Sequence, residues 1–238
     1  MPLAPPTPAC GAQRRSTRAP HRLFRSYPWA LPVFWGLSSR FHRRRSDDCG
    51  RECIRGAEPF HPVPNKQPVK VGSATEAVAM VRPGQRVFVM SAAGTPQLLT
   101  EALAEHGKAK LKSRADDPVE LVHIHTEGTG AYMKEDCSGI FRARNFFTGP
   151  NARKAIAEGR ADYVPIFLSE IPLLFRRGKM PIDVALVTLS PPDSNGYCSM
   201  GVSVDITRAA VQCAQTIVAV LNPNMPRTFG DGIIHMSH

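Results

Sequence analysis

Asp183-Val-Ala-Leu-Val-Thr-Leu-Ser-Pro-Pro-Asp-Ser-Asn-Gly-Tyr-Cys-Ser-Met-Gly201 is the stretch that decides the fold. From Asp183 to Leu189 the residues are nearly all apolar, and the run is too short for a buried helix. It therefore reads as a strand buried on both faces. Strands of that kind belong to parallel sheets covered by helices on either side. The turn formers from Pro191 to Gly201 then leave the carboxyl end of the strand, the edge at which such sheets hold their ligands.

Working toward the N-terminus, the same alternation of short apolar runs and helical stretches repeats. Ser169 to Arg177 reads as a helix closed by Gly178, Tyr163 to Phe167 as a short strand, and Pro150 to Glu158 as a helix ended by Gly159. Phe141 to Phe147 and Val119 to His125 read as strands, and so does Arg86 to Met90. Gln97 to His106 is expected to be helical, and Ser73 to Val81 a short helix with Ser73 and Glu76 as a capping box. On the other side, Asp205 can cap a helix through Ala214, and Thr216 to Leu221 is a last strand. The expected fold is α/β, an open and mostly parallel sheet with helices on both faces, preceded by a disordered basic N-terminal segment.

Ser91-Ala92-Ala93-Gly94-Thr95-Pro96 joins a strand to a helix. Small residues let the backbone bend there, Thr95 can cap the helix, and Pro96 suits its first turn. Such a junction is a natural site for an anion or a carbonyl oxygen, and it also opens many ordinary β-α units. Glu127 and Gly128 follow the next strand and fall on the same edge.

The charge is uneven. Residues 1–46 hold nine arginines and no acidic residue, leaving 21 basic and 20 acidic side chains in the rest. The net charge of +10 is thus a property of the leader, and the folded part does not read as a nucleic-acid binder. An Arg-rich, Ser-containing, acid-free N-terminus has the character of a mitochondrial transit peptide. Its seven prolines oppose the helix such peptides form, so a disordered basic tail and a secretory signal centred on Tyr27 to Leu37 stand as alternatives. The domain reading is a basic, Pro-rich leader and linker over 1–68 and an α/β domain over 69–238. No apolar run is long enough to span a bilayer.

The six cysteines lack paired spacing, and Cys49 and Cys53 form a lone C-x3-C, so no zinc site is expected. His123 and His125 would share one face of a strand, but no third ligand lies at a recognisable spacing. They read as core or interface histidines. Cys198 reads as a buried structural thiol rather than a nucleophile.

Val184-Ala-Leu-Val, Pro192-Asp-Ser-Asn-Gly-Tyr-Cys-Ser-Met-Gly-Val-Ser203 and Asn224-Met-Pro-Arg-Thr-Phe-Gly-Asp231 resemble the acetyl-CoA hydrolase/transferase family, and within it the 4-hydroxybutyrate CoA-transferases. Phe146-Phe-Thr-Gly-Pro-Asn151, Arg153-Lys-Ala-Ile-Ala-Glu-Gly-Arg-Ala-Asp162 and Glu170-Ile-Pro-Leu-Leu-Phe175 are further matching words, and the resemblance covers about 69 to 238. It implies transfer of coenzyme A between a short acyl-CoA and a carboxylate such as acetate, butyrate or 4-hydroxybutyrate. The route runs through a glutamyl-CoA thioester, with coenzyme A as substrate and no cofactor or metal. Hydrolysis of acetyl-CoA is the alternative activity. The glutamate and the Gly-rich CoA loop of that family lie in a second α/β half whose words do not occur here, so no catalytic residue is expected in this chain. It is expected to be inactive alone, a truncated form that pairs with the missing half or with other copies. Ser91 to Pro96, Glu127 and Gly128 are expected to wall the cleft that encloses the acyl group.

Overall fold

The computed structural model describes residues 33–36, 60–111 and 116–238. In chain order the strands are β1 Val33–Gly36, β2 Val69–Val71, β3 Arg86–Val89, β4 Val119–His123, β5 Phe141–Asn145, β6 Asp162–Tyr163, β7 Val184–Leu189, β8 Tyr197–Ser199, β9 Thr216–Leu221 and β10 Ile233–His235. The helices are α1 Ala74–Val78, α2 Gln97–Lys110, α3 Arg153–Ala157, α4 Ile171–Arg176 and α5 Thr207–Cys213.

Eight strands form one sheet in the order β2-β1-β9-β7-β3-β4-β5-β6. The six from β9 to β6 are parallel throughout, and β1 joins antiparallel to both β9 and β2. The chain enters the parallel sheet at its centre with β3, builds outward through β4, β5 and β6, then returns to the other side of β3 with β7 and β9. The reversal between β3 and β7 is the switch point where such sheets open a crevice at their carboxyl edge.

Side-chain alternation makes two cores from one sheet. Val87 and Val89 of β3, Leu121 of β4 and Leu186 of β7 face α1, α2 and α3, where Val78, Leu99, Leu103 and Ala155 meet them. Phe88, Met90, Val122, Ala185 and Val187 face the other way, against Ile171 and Phe175 of α4 and Ala209 and Ala210 of α5. All six residues of β7 are buried, as its continuous apolar run requires. Each fully buried Leu or Phe contributes about 1.5–3 kcal/mol relative to exposure. Toward the start of β4 and β5 the same face carries charge: Glu120 accepts from Arg86 Nε at 2.8 Å and from Arg144 Nε at 2.9 Å.

Local chemistry explains several boundaries. Ser73 Oγ accepts the Glu76 amide at 3.1 Å, and Glu76 reaches back to the Gly72 amide at 3.0 Å, one residue before the cap. Asp205 Oδ1 accepts the Thr207 amide at 3.0 Å. The helix expected to stop at His106 continues through Gly107 to Lys110. A Cβ on Gly107 would sit 2.4 Å from the Phe141 ring, so this glycine permits close approach rather than a stop.

Pro191 to Gly201 is not all loop. Tyr197–Ser199 pairs antiparallel with Ile233–His235, forming a second, two-stranded sheet. The stretch read as leader and linker also contributes to the fold. Val33–Gly36 lies in the main sheet, and Phe60 is buried and bridged to Ile234. Val63 and Lys66 hydrogen-bond to Ser237 and His238. The remaining expectations for 1–59, including Cys49 and Cys53 and the disordered leader, lie outside the described residues.

Candidate functional site

At the switch point β3 gives way to Ser91-Ala-Ala-Gly-Thr-Pro96, a loop fixed by bonds to its neighbours. Ser91 is fully buried and its Oγ accepts the Ile124 amide at 3.1 Å. The Ala92 amide donates to the His125 carbonyl at 3.0 Å. Ala92 takes φ 51°, a left-handed value costly for a residue with a Cβ. Thr95 does not cap α2: its hydroxyl donates to the Ala92 carbonyl at 2.7 Å and accepts the Glu127 amide at 3.1 Å. The side chain expected to serve the helix instead ties the loop after β3 to the loop after β4.

Gly94 ties the same loop to the far side of the crevice. Its amide donates to Ser203 Oγ at 3.0 Å, and a Cβ there would lie 2.8 Å from Met90 Cε and 2.9 Å from Ser203 Cβ. The structure therefore brings Ser91 to Pro96, Glu127 and Gly128 together on one edge. It adds Ser203, which lies at the end of the quoted word Pro192 to Ser203 but carries no spacing signal toward Gly94. Ala93, Glu127 and Gly128 are exposed there. Gly128 has φ 88°, and its Cβ position is 3.0 Å from the Gln97 side chain.

Glu127 is a solvated loop carboxylate: its side chain is 61% exposed, with His125 Nε2 at 3.7 Å. His125 stacks edge-on against Phe147 with ring centroids 5.7 Å apart. Behind them His123 is fully buried; its Nε2 is 2.9 Å from Tyr132 Oη, which is 2.8 Å from Thr126 Oγ1. Burial, then the neighbouring His125, push the His123 pKa down to about 3, so the ring is neutral. Asn151 completes this loop anchor by donating to the Thr126 carbonyl at 2.8 Å. Among the described residues no group of three His, Cys, Asp or Glu could hold a metal.

Cys198 sits in β8 against a small apolar cavity of 30 Å³ lined by Leu189, Ile217, Ala219 and Ile234. Burial pushes its thiol up to about 12. The structural reading of this cysteine fits that environment. Leu98, Phe147, Phe167 and Leu168, in segments that follow β3, β5 and β6, are exposed, as is Val202 beside Ser203.

Fold and edge together define a doubly wound α/β domain whose ligand-facing loops converge at its switch point. Residues 64–238 match the acetyl-CoA hydrolase/transferase N-terminal domain, and the chain belongs to that family. It is 48% identical over 211 residues to a succinyl-CoA:acetate/propanoyl-CoA:succinate CoA transferase of Fasciola hepatica, covering 88% of this chain and 42% of that protein. It is 40% identical to the 4-hydroxybutyrate coenzyme A transferase of Clostridium kluyveri, covering 71% of this chain and 38% of the other. Among solved structures, the 4-hydroxybutyrate CoA-transferase of Porphyromonas gingivalis superposes with a TM-score of 0.51 at 31% identity, over 69% of this chain and 36% of that one. RipA from Yersinia pestis shares the fold, with a TM-score of 0.61 at 24% identity, over 69% of this chain and 39% of that one. The chain spans about two-fifths of the length of the curated relatives it matches.

Proposed function

We propose that this chain supplies one wall of the cleft in which a CoA-transferase moves coenzyme A between a short acyl-CoA and a short carboxylate, acetate, propionate, succinate, butyrate or 4-hydroxybutyrate. The observation that carries this reading is the triple tie at the switch point: Ser91 to Ile124, Thr95 to Glu127, and Gly94 to Ser203. These bonds tie three loops together at an edge that offers both polar loop groups and exposed apolar side chains. That arrangement suits a carboxylate or thioester carbonyl with a short aliphatic tail. Transfer is favoured over hydrolysis because the curated relatives named above are transferases.

In this reading the described residues position and enclose substrate, and the nucleophile lies outside them. Glu127 is exposed and Cys198 is held protonated, so neither has the environment of an activated nucleophile. The described residues by themselves therefore do not exchange CoA. Mitochondrial import, read from the leader's nine arginines and absence of acid, belongs to the same proposal.

Titrating acetyl-CoA, succinate and acetate separately into 15N-labelled protein tests the reading. Amide shifts concentrated at Ala93, Gly94, Thr95, Glu127 and Gly128 are expected. Saturable shifts confined to the opposite, amino-terminal edge of the sheet would overturn it.

A further inference from the structure

β1 is held on both sides. Phe34 pairs with Val71 on one flank and Val220 on the other, Trp35 with Lys70 and Ala219, and Gly36 with Val69 and Val218. β2 ends the sheet and reaches it only through β1, and β9 is bounded by β7 and β1 alone. Without these four residues β9 would lose its partner along Val218 to Leu221 and become an open edge, and β2 would have no strand neighbour. The compact unit that contains the sheet begins at Leu31. The similarity to the Fasciola hepatica enzyme takes in 88% of the chain, so it reaches back past residue 64 and includes Val33–Gly36.

We propose that Val33–Gly36 is a structural strand of the mature protein, and that any cleavage of an N-terminal targeting segment falls before Leu31. The segment that is removed then carries Arg14, Arg15, Arg18, Arg22 and Arg25, while Arg40, Arg43, Arg44 and Arg45 stay on the mature chain. A cut downstream of Gly36 would strip a strand from between two others and turn β9 into an open edge prone to pairing with another chain. The place of Val33–Gly36 in the sheet is independent of the substrate reading, whereas the cleavage site rests on the import reading.

Three forms of the protein test it: the full chain, a deletion of residues 2–30 and a deletion of residues 2–37. The shorter deletion is expected to keep the full chain's Tm and its amide protection across Thr216 to Leu221. The longer one is expected to exchange the β1-facing amides of β9 at least ~10-fold faster and to self-associate. If the longer deletion does not fold, Trp35→Pro in the full chain provides the same readout, since proline removes a donor from a strand paired on both sides. N-terminal sequencing of the chain after import into isolated mitochondria should give a first residue no later than Leu31. Unchanged protection and Tm in the longer deletion, or a mature chain beginning after Gly36, would overturn the proposal.

Discussion

Arg227 Nη2 donates to Asp193 Oδ2 at 2.7 Å, joining two of the words by which the chain resembles its family. Arg227 Nη1 also reaches the Tyr197 carbonyl at 3.0 Å, and Thr228 hydrogen-bonds to both Ser199 and the Gly201 carbonyl. Pro192 to Ser203 and Asn224 to Asp231 are therefore one interlocked unit. It holds the segment that carries Ser203 to Gly94 at the switch point.

Arg227→Ala is expected to loosen this clasp without unfolding the domain. Amides of Asn195 and Tyr197, which both donate to Asp193 Oδ1, should exchange faster, and Tm should fall slightly. The Asp193 carboxyl lies below its ordinary value because the Tyr197 and Asn195 amides and Arg227 favour its charged form. Its contribution is present above the unfolded value of 3.8 and is lost as pH falls through the lower folded value. Backbone exchange at Asn195 measured between neutral pH and pH below that value checks the sign.

Gly94→Ala should cost about 1–3 kcal/mol in urea unfolding, because the new methyl meets Met90 and Ser203 at under 3 Å. Ser203→Ala should cost less, about 0.5–1.5 kcal/mol, since the Gly94 amide keeps the Ser91 carbonyl at 3.1 Å. A Gly94→Ala protein as stable as wild type would show that the loop after β3 is not pinned as described.

His123 is neutral and buried, with its pKa depressed from 6.5 to about 3. Below 6.5 the unfolded chain takes up a proton that the folded chain refuses. Stability is therefore intact above 6.5 and is lost as pH falls toward the folded value, by roughly 2 kcal/mol between pH 6.5 and about 5. His123→Gln should flatten that slope in unfolding measured across the same window. An unchanged slope would mean that His123 is not the group responsible.

Gly107→Ala exchanges a helix-propensity gain of about 1 kcal/mol for a clash with the Phe141 ring at 2.4 Å. The clash should win, with net destabilisation of about 1–2 kcal/mol. Adding Phe141→Leu should recover part of that loss in a double-mutant cycle.

The strands of the central sheet were legible because burial on two faces leaves an unbroken apolar record, as in Val184–Leu189. Ends were less so. Tyr163 to Phe167 shrinks to Asp162–Tyr163, because strand length at an edge depends on how far the neighbour runs. Gly107 lies beyond the helix end expected at His106, and only the approach of the Phe141 ring accounts for a glycine inside the longer helix. Thr95 had the residue type of a cap, but hydrogen-bond geometry gave its hydroxyl to the Ala92 carbonyl and the Glu127 amide. Ser91 to Pro96, Glu127 and Gly128 were readable as loops on one edge, while Ser203 was not readable as their partner.

Residue order by itself determined that the chain alternates strand and helix, that a strand such as Val184–Leu189 is buried on both faces, that its excess positive charge lies in the first 46 residues, and which family its words belong to. Side-chain periodicity and turn chemistry are local, so they are written in the sequence. Which strands are neighbours is not local. Periodicity says that β3 and β7 are buried but not that they are adjacent, and only adjacency brings Ser203 to Gly94 across 109 positions of chain. The same holds for Val33–Gly36, whose place between β2 and β9 is set by backbone hydrogen bonding to strands far away in sequence.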